Sequence, residues 1–316
     1  MIEQIGKLIK ENERFLVVSH KDPDGDAIGS SLAMYALLEE MGKTVYVENP
    51  TSPPPRLFAF LDDYAKIEPV TNSKDVDVVF ILDTAEISRC GVDREFLKDK
   101  TVVNIDHHKT NAGFGDINLI EPDASAVGCL LWDIFTRNGF DISRRVATYL
   151  YVSILTDTGS FRYGSTTPRA FEISADLLRR GVEPWHIAYN IYEMMEFNTL
   201  KLLGLVLNTL ETYHNGKLAI VWITKEMFDS TGTTREDSEG FVNYARGVKG
   251  AEVGALIRQD GENYFKISLR SKDKIDVSRV AESFGGGGHK NAAGCEIHGT
   301  LEEVKNKLIE AFSFLG

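Results

Sequence analysis

The amino-terminal half of the chain contains continuous apolar runs, and polar residues follow these runs at their carboxyl ends. Residues 14–18, 76–82 and 101–105 are apolar, β-branched stretches, and residues 44–47 form a shorter one. Continuous rather than alternating hydrophobicity predicts strands covered on both faces, as in a parallel sheet between helices. Residues 26–41 are apolar and rich in small residues, which predicts a helix directly after the first strand. We therefore expect an α/β fold with a doubly wound, mostly parallel sheet.

The middle of the chain has a helical pattern. Residues 125–178 are mainly helical in periodicity, with an interrupting loop at 157–162. Residues 186–212 predict one or two long helices that connect two halves of the molecule. We expect three parts, which are an amino-terminal domain (1–185), a helical linker (186–212) and a carboxyl-terminal domain (213–316).

The carboxyl-terminal part changes to shorter apolar runs separated by turns. The predicted elements, in chain order, are strands at 217–224, 252–258 and 264–269, a helix at 277–284, a strand through Cys295 and Ile297, and a helix after Thr300. Asp260-Gly261 is a favourable turn between two of these strands. This pattern predicts a second, smaller α/β domain.

Composition narrows the classes of function. The chain has 316 residues, 43% hydrophobic and 26% charged, which suits a globular protein of two domains. Its net charge of −12 argues against a broad basic face that grips long duplex nucleic acid. No apolar run reaches membrane-spanning length, and the first residues are charged and amphipathic, so we expect a cytoplasmic protein without a membrane contact. Cys90, Cys129 and Cys295 are isolated, which predicts small core residues rather than a disulfide or zinc site.

Acidic and imidazole side chains collect at the predicted strand ends. They are His20, Asp24, Asp26, Asp83, Asp106, His107, His108 and, in a later loop, Asp157. The carboxyl ends of parallel strands meet at one edge of a sheet, where ligands bind. No lysine or arginine is placed to neutralise these carboxylates, so gathering them without a cation would be repulsive. We expect a pair of divalent ions, with Asp83 as the bridging carboxylate.

The ligand types favour particular metals. Oxygen-rich sites with a minority of imidazoles suit Mn²⁺ or Mg²⁺ better than zinc, which favours sulfur and more nitrogen. Taken alone, Asp24 and Asp26 could be turn or helix-cap residues, with Gly25 relaxing the bend between them. Two adjacent imidazoles, His107 and His108, gain little by packing, and the joint pattern favours the metal site.

A glycine run near the carboxyl terminus is the other informative stretch. Four consecutive glycines precede His289, so backbone N–H groups there can approach an anion closely. By themselves the glycines would indicate a flexible loop. Arg270 and Ser271 on the preceding strand change that interpretation, because arginine binds phosphate with two parallel hydrogen bonds, and Arg258 on a neighbouring strand could join them. We expect a phosphate-binding cradle.

The ordered motifs SHKDPDGDAIGS, the Asp83 segment, NIDHHKTN, LTDTGSFRY, ISLRS and GGGGHKNAAG resemble those of the DHH phosphoesterase family with a carboxyl-terminal DHHA-type domain. The resemblance covers essentially the whole chain and is closest to the compact bacterial nanoRNases. It implies an active site in the cleft between a DHH domain (1–185) and a DHHA substrate-binding domain (213–316). The resemblance also implies two Mn²⁺ ions, with Mg²⁺ as the alternative.

By this resemblance, each candidate residue has an implied role. One ion would be held by His20, Asp24 and Asp83, and the other by Asp26, Asp83, His107 and Asp157. Asp106 would orient the histidines, and His108 would face the scissile phosphate and assist the leaving group. The resemblance implies that Asn111 helps to shape the site and that Arg270, Ser271 and His289 bind the phosphate or nucleotide that is not cleaved. The residue pattern described above adds Arg258, Gly286, Gly287 and Gly288 to the candidate substrate-binding residues.

The implied activity is hydrolysis of very short RNA oligonucleotides and dinucleotides such as pApA to mononucleotides, with adenosine 3′,5′-bisphosphate (pAp) as a further substrate. Cyclic di-AMP hydrolysis, manganese pyrophosphatase activity and a nucleotide sensor without turnover are the alternatives. A processive exonuclease of the RecJ kind is disfavoured, because such proteins are longer. The expected partners are therefore short oligonucleotides or nucleotides, and we expect a homodimer.

Overall fold

The chain folds as two units, Met1–Met194 and Met195–Gly316, and the boundary between them in the sequence falls within the predicted connection, 186–212. The computed structural model describes residues 1–272 and 274–316, except for the side chain of His289. The amino-terminal unit contains, in chain order, α1 (Ile2–Glu11), β1 (Arg14–Ser19), α2 (Gly25–Glu40), β2 (Thr44–Asn49), β3 (Ile67–Pro69), β4 (Val78–Leu82), α3 (Arg94–Leu97), β5 (Thr101–Asp106), β6 (Ile117–Ile120), α4 (Val127–Arg137), α5 (Arg144–Asp157), α6 (Pro168–Arg179) and α7 (Pro184–Ala188).

The strands of this unit form a parallel sheet. Among the described residues its order is β3-β2-β1-β4-β5-β6, and every neighbouring pair is parallel. The chain runs outward from β1 to β3, returns to place β4 beside β1, and continues to β6. This reversal leaves a crevice at the carboxyl ends of β1 and β4, which is where ligands bind in such sheets. The predicted α/β fold is confirmed, although the short edge strands β3 and β6 were not predicted.

Both faces of the sheet are covered, which explains the continuous apolar runs. Along β1, Phe15 and Val17 pack into one hydrophobic cluster, whereas Leu16 and Val18 pack into another on the opposite face. Helices α2, α4 and α5 contribute to the first cluster. Because successive side chains of a strand point to opposite faces, only a strand buried on both sides can be apolar throughout.

Helix α2 packs closely against α5, and Gly29 makes this approach possible. A Cβ atom at Gly29 would lie 2.6 Å from the backbone nitrogen of Ser153 and 2.7 Å from the carbonyl oxygen of Tyr149. These neighbours are backbone atoms of another helix and cannot move independently. The close packing brings the start of α2 beside the later half of α5.

Substituting Gly29 by alanine should therefore destabilise the protein. We expect Gly29→Ala to lower the free energy of unfolding by about 1–3 kcal/mol, because the added methyl group overpacks the helix contact. Gly204 is the control, since it lies in a helix (α8, Phe197–Leu207) and a Cβ there meets no described atom within 4 Å. Gly204→Ala should raise stability by up to about 1 kcal/mol. Urea unfolding measures both, and an unchanged Gly29→Ala midpoint would contradict the packing argument.

The carboxyl-terminal unit is a smaller α/β structure. It contains, in chain order, α8, β7 (Glu211–Tyr213), β8 (Leu218–Ile223), α9 (Lys225–Thr231), α10 (Val242–Gly247), β9 (Val253–Gly261), β10 (Tyr264–Ser271), α11 (Val277–Ser283), β11 (Gly287–His289), β12 (Ala292–His298) and α12 (Leu301–Ala311). The strand order among the described residues is β11-β12-β10-β9-β8-β7, with β8 and β9 parallel and the other pairs antiparallel. The predicted second α/β domain is confirmed.

The three cysteines are small core residues, as predicted. Cys90, Cys129 and Cys295 are buried free thiols in three different hydrophobic clusters.

Among the described residues, no helix combines the length and apolar character needed to cross a lipid bilayer.

Candidate metal centre

The amino-terminal unit gathers histidines and carboxylates at the crevice. Three overlapping groups of side chains could each hold an ion, because the ligand atoms within a group all lie within 4.8 Å of one another. The groups are His20, Asp24 and Asp83; Asp26, His107 and Asp157; and Asp83, His107 and His108. His20 directly follows β1 and Asp83 directly follows β4, which are the two strands at the chain reversal. The structure thus brings together residues that lie up to 137 positions apart in the sequence.

The two oxygens of Asp83 face different histidines. Asp83 Oδ2 lies 3.6 Å from His20 Nε2, and Asp83 Oδ1 lies 3.6 Å from His107 Nε2. His107 Nε2 is also 3.6 Å from Asp26 Oδ2 and from Asp157 Oδ2. These separations are too long for hydrogen bonds. They suit pairs of ligand atoms that each lie about 2 Å from a cation between them.

Asp83 is held in an unusual state for a buried carboxylate. Its side chain is 2% exposed, and Oδ1 has no hydrogen-bond partner among the residues that the structure describes. Its backbone has φ +55°, the left-handed region that non-glycine residues rarely adopt. Burial raises the pKa of Asp83, but the adjacent His107 and His20 lower it by a larger amount. The resulting pKa of Asp83 lies below its usual range. An ionised, buried and unbonded oxygen fits a cation-binding role.

The histidines are oriented for ligation. His20 Nδ1 lies 2.8 Å from the carbonyl oxygen of Lys21, and His107 Nδ1 lies 3.0 Å from that of Ala124. A carbonyl oxygen can only accept, so each Nδ1 donates its proton to it. In the neutral imidazole, the lone pair on Nε2 then points into the space between the carboxylates, where a metal ion would lie.

Two residues that the sequence did not indicate hold Asp26 in place. The Ser153 hydroxyl on α5 donates to Asp26 Oδ1 at 2.5 Å, and the backbone N–H of Val127 at the start of α4 donates to Oδ2 at 2.8 Å. Ser153 is fully buried. Nothing in the local sequence of Ser153 marks it, because its role depends on the contact between α2 and α5.

Asp24 combines both roles considered from the sequence. Its Oδ1 accepts hydrogen bonds from the N–H groups of Asp26 and Ala27, so it caps α2, and it also lies 4.0 Å from His20 Nε2. Gly25 serves a different purpose from the one expected. It begins α2 without a positive φ, and a Cβ there would lie 2.4 Å from the side chain of Thr156. Gly25 therefore makes room for α5 rather than relaxing a bend.

His108 differs from the other two histidines. Its Nδ1 lies 2.6 Å from Asp106 Oδ1, and Asp106 is fully buried. Asp106 Oδ2 accepts from the Asn111 amide at 2.6 Å. The hydrogen bond to Asp106 raises the pKa of His108 despite burial. Asp106 therefore orients His108, and Asn111 orients Asp106.

Two carboxylates of the centre, Asp26 and Asp157, hold a proton to higher pH than usual, in contrast to Asp83. Burial and the charge of Asp83 raise the pKa of Asp26 well above its usual value, and burial raises the pKa of Asp157 to about 7. Burial lowers the pKa of His107, but the surrounding carboxylates raise it to about 11. These protons reduce the repulsion that a cation would otherwise relieve.

A metal ion must displace these protons, which predicts a pH dependence. A raised pKa means that the proton is bound below that pH, so Mn²⁺ affinity should fall as the pH decreases. Below pH about 7 we expect roughly a tenfold loss of affinity per pH unit for each proton released. Calorimetric titration at pH 5.5 to 8 measures this slope, and an affinity independent of pH would contradict ligation by these groups.

The predicted phosphate-binding residues lie in the carboxyl-terminal unit. Arg270 Nη1 donates to the carbonyl oxygen of Leu269, and the buried Ser271 hydroxyl donates to that of Ile275 at 2.6 Å. The backbone of β12 places Ala292 opposite both Arg270 of β10 and His289 of β11. The predicted role of the His289 side chain lies outside the described part of the chain.

Arg258 is separated from Arg270. The β9–β10 register pairs Arg258 with Lys266 and Arg270 with Gly254, so the arginines lie about 13 Å apart along the sheet. Arg258 instead makes a two-pronged ion pair with Asp260, at 2.7 and 3.0 Å. The register therefore does not support the expectation that Arg258 joins Arg270.

The glycine run has a packing function. Gly287 and Gly288 belong to β11 and pair with β12. A Cβ at Gly286 would lie 2.2 Å from the carbonyl oxygen of Gly294, and one at Gly288, where φ is +145°, would lie 2.5 Å from that of Ala292. The absence of side chains is thus required for close strand packing, in addition to any contact with an anion.

Comparison with known proteins identifies the family. Residues 14–154 match the model of the DHH family, N-terminal domain, and residues 215–314 match the DHHA1 domain. The bifunctional oligoribonuclease and PAP phosphatase NrnA of Thermus thermophilus is 34% identical over 303 residues, covering 93% of this chain and 88% of that protein. A Streptococcus mutans protein named as a probable NrnA is 27% identical, covering 95% of this chain and 96% of that protein.

A solved structure supports the same assignment. The exopolyphosphatase-related protein of Bacteroides fragilis superposes with a TM-score of 0.92 at 31% sequence identity, covering 99% of this chain and 95% of that one. The order of the two matched domains agrees with the order of the two units in the structure. The chain therefore belongs to the DHH family of phosphoesterases, in the group that also carries a DHHA1 domain.

Proposed function

We propose that this phosphoester hydrolase is a two-metal phosphodiesterase that cleaves nanoRNA and dinucleotides such as pApA to mononucleotides, with pAp as a further substrate. The observation that carries the proposal is the position of Asp83, whose two carboxylate oxygens each lie 3.6 Å from a different histidine, His20 or His107. A carboxylate between two ligand groups is the arrangement needed to bridge two ions. The name of the Thermus thermophilus relative supports the substrate class.

The candidate ligand sets follow from the clusters. His20, Asp24 and Asp83 would hold one divalent ion. Asp26, His107 and Asp157 would hold the other, together with Asp83, whose Oδ1 lies 3.6 Å from His107 Nε2. Bound Mn²⁺ or Mg²⁺ would supply an activated water and stabilise charge on the phosphoryl oxygens. The buried Asp83 Oδ1, for which the described part of the chain provides no hydrogen-bond partner, supports this fit.

His108 would supply the proton for the leaving oxygen. Its Nδ1 is committed to Asp106, so Nε2 is the atom that can donate to a substrate. The raised pKa keeps this imidazole protonated to higher pH, as a general acid requires. Asp106 and Asn111 would keep the ring in the orientation needed for proton transfer.

The carboxyl-terminal unit would bind a phosphate that is not cleaved. Arg270, with Ser271, Gly286, Gly287, Gly288 and His289 nearby in sequence or register, is the candidate group. Arg258 is left out of this group, because it lies about 13 Å from Arg270 along the sheet and is ion-paired with Asp260. The net charge of −12 favours short anionic substrates over long duplexes.

A substrate panel tests this function. The metal-loaded full chain is incubated with pApA, five-nucleotide RNA, pAp, cyclic di-AMP and pyrophosphate, and products are separated by chromatography. We expect AMP from pApA and pAp and mononucleotides from the RNA. Turnover of cyclic di-AMP alone or pyrophosphate alone would replace the proposal with that activity. Binding of nucleotides without product under Mn²⁺ or Mg²⁺ would instead favour the sensor.

A further inference from the structure

Asp83 needs support from its surroundings, because it combines a buried charge with a left-handed backbone. A non-glycine residue at φ +55° is strained, and such strain persists only where neighbouring groups enforce it. The backbone N–H of Asp83 donates to the carbonyl oxygen of Ile105 at 3.0 Å. A second support comes from a fully buried residue on β5, Asn104.

Asn104 contacts the chain on both sides of Asp83. Its Nδ2 donates to the carbonyl oxygens of Ile81 and Thr84, at 3.2 and 3.3 Å. Carbonyl oxygens only accept, so the amide must present its NH₂ group to them, and this fixes which way the side chain is turned. One amide thus links the two ends of residues 81–84, which comprise the end of β4 and the bend at Asp83 and which we call the Asp83 turn.

The other end of the Asn104 amide connects to the His108 side of the site. Asn104 Oδ1 accepts from Asn111 Nδ2 at 2.8 Å, and the same Asn111 nitrogen lies 2.6 Å from Asp106 Oδ2. Asp106 in turn orients His108. The hydrogen bonds therefore run without interruption from the turn at Asp83 to the imidazole of His108.

Sheet packing alone does not explain an amide at this position. Asn104 lies between the buried residues Val103 and Ile105 in a strand that is covered on both faces. An apolar side chain would suit that environment, whereas a buried amide is unfavourable unless it is fully hydrogen-bonded. All of its described hydrogen bonds reach the Asp83 turn or Asn111.

We propose that Asn104 is a positioning residue, which holds the Asp83 carboxylate in place for two metal ions and couples that carboxylate to Asp106 and His108. This inference rests on the proposed two-metal function. It predicts that losing the Asn104 amide weakens metal binding in a protein that remains folded.

Asn104→Leu is the direct test, because leucine has the same number of side-chain heavy atoms as asparagine, lacks its hydrogen-bonding groups and suits an apolar strand. We expect Asn104→Leu to weaken Mn²⁺ binding about 10- to 100-fold, as observed when residues that orient metal ligands are removed. Electron paramagnetic resonance of free Mn²⁺ measures the affinity, and circular dichroism checks that the variant is folded.

Asn118 provides a matched control. It lies directly opposite Asn104 on β6, and each of the hydrogen bonds described for its amide is to the nearby Gly115, at 2.7 and 2.9 Å. Asn118→Leu makes the same chemical change without touching the Asp83 turn, so Mn²⁺ affinity should remain within about twofold of the wild type. Unchanged affinity in Asn104→Leu, or equal losses in both variants, would overturn the proposal.

A second variant keeps the proposal testable if Asn104→Leu misfolds. If Asn104→Leu does not fold, Asn104→Ser, which keeps one donor, should weaken Mn²⁺ binding measurably but by less than about tenfold. Affinity equal to that of the wild type in Asn104→Ser would overturn the inference. A wild-type protein that binds no Mn²⁺ would refute the proposed function itself. Wild-type binding with an unchanged folded variant would refute only the role of Asn104.

Discussion

Asp83→Asn should lower kcat for pApA by at least about 10³-fold, because one substitution removes a carboxylate from both proposed ion sites. Asparagine has almost the same shape as aspartate and tolerates the left-handed backbone found at this position, φ +55°. The variant therefore removes charge without imposing a new conformation. We expect it also to lose at least one of two bound Mn²⁺ ions.

The control for this variant is Asp62→Asn, which neutralises an exposed aspartate outside the metal centre. Initial rates with pApA and the Mn²⁺ content after gel filtration should match the wild type in the control. A folded Asp83→Asn protein with normal turnover would show that Asp83 does not bridge catalytic ions.

His108→Gln should lower kcat by about 10²–10⁴-fold, the range expected for loss of a general acid. Unlike Asp83→Asn, this variant should retain Mn²⁺ binding, because His108 is committed to Asp106 through Nδ1. The combination of slow turnover and normal metal content separates proton transfer from metal binding.

A change of leaving group makes this test specific. In a p-nitrophenyl ester of a 5′-nucleotide, the leaving group is p-nitrophenolate, a stable anion that needs little protonation. His108→Gln should therefore impair hydrolysis of this ester much less than that of pApA. His298→Gln is the control, since this exposed histidine lies at the end of β12 in the other unit. Equal losses with both substrates would contradict the general-acid role.

The fold of the amino-terminal unit could be predicted because its signals are local. The apolar runs of β1, β4 and β5 need burial on both faces, which indicates a parallel sheet. Polar residues directly after those runs must then lie at the same edge of the sheet. His20, Asp83 and His107 could therefore be grouped before any coordinates were known.

The supporting contacts could not be predicted because they depend on tertiary packing. Ser153 reaches Asp26 across 127 positions, and Asn104 reaches the Asp83 turn from a neighbouring strand. The short strands β3, β6 and β11 contain three or four residues, too few for a periodic pattern. The glycine run predicts a phosphate cradle, and nothing in its sequence indicates that Gly286 packs closely against Gly294 of β12.

Anomalous diffraction from a crystal soaked in Mn²⁺ tests the central claim most directly, because it locates each ion independently of turnover. The account predicts two manganese peaks on either side of the Asp83 carboxylate, one beside His20 and Asp24 and the other beside Asp26, His107 and Asp157. Absence of manganese from this cluster, or a single ion without contact to Asp83, would contradict it.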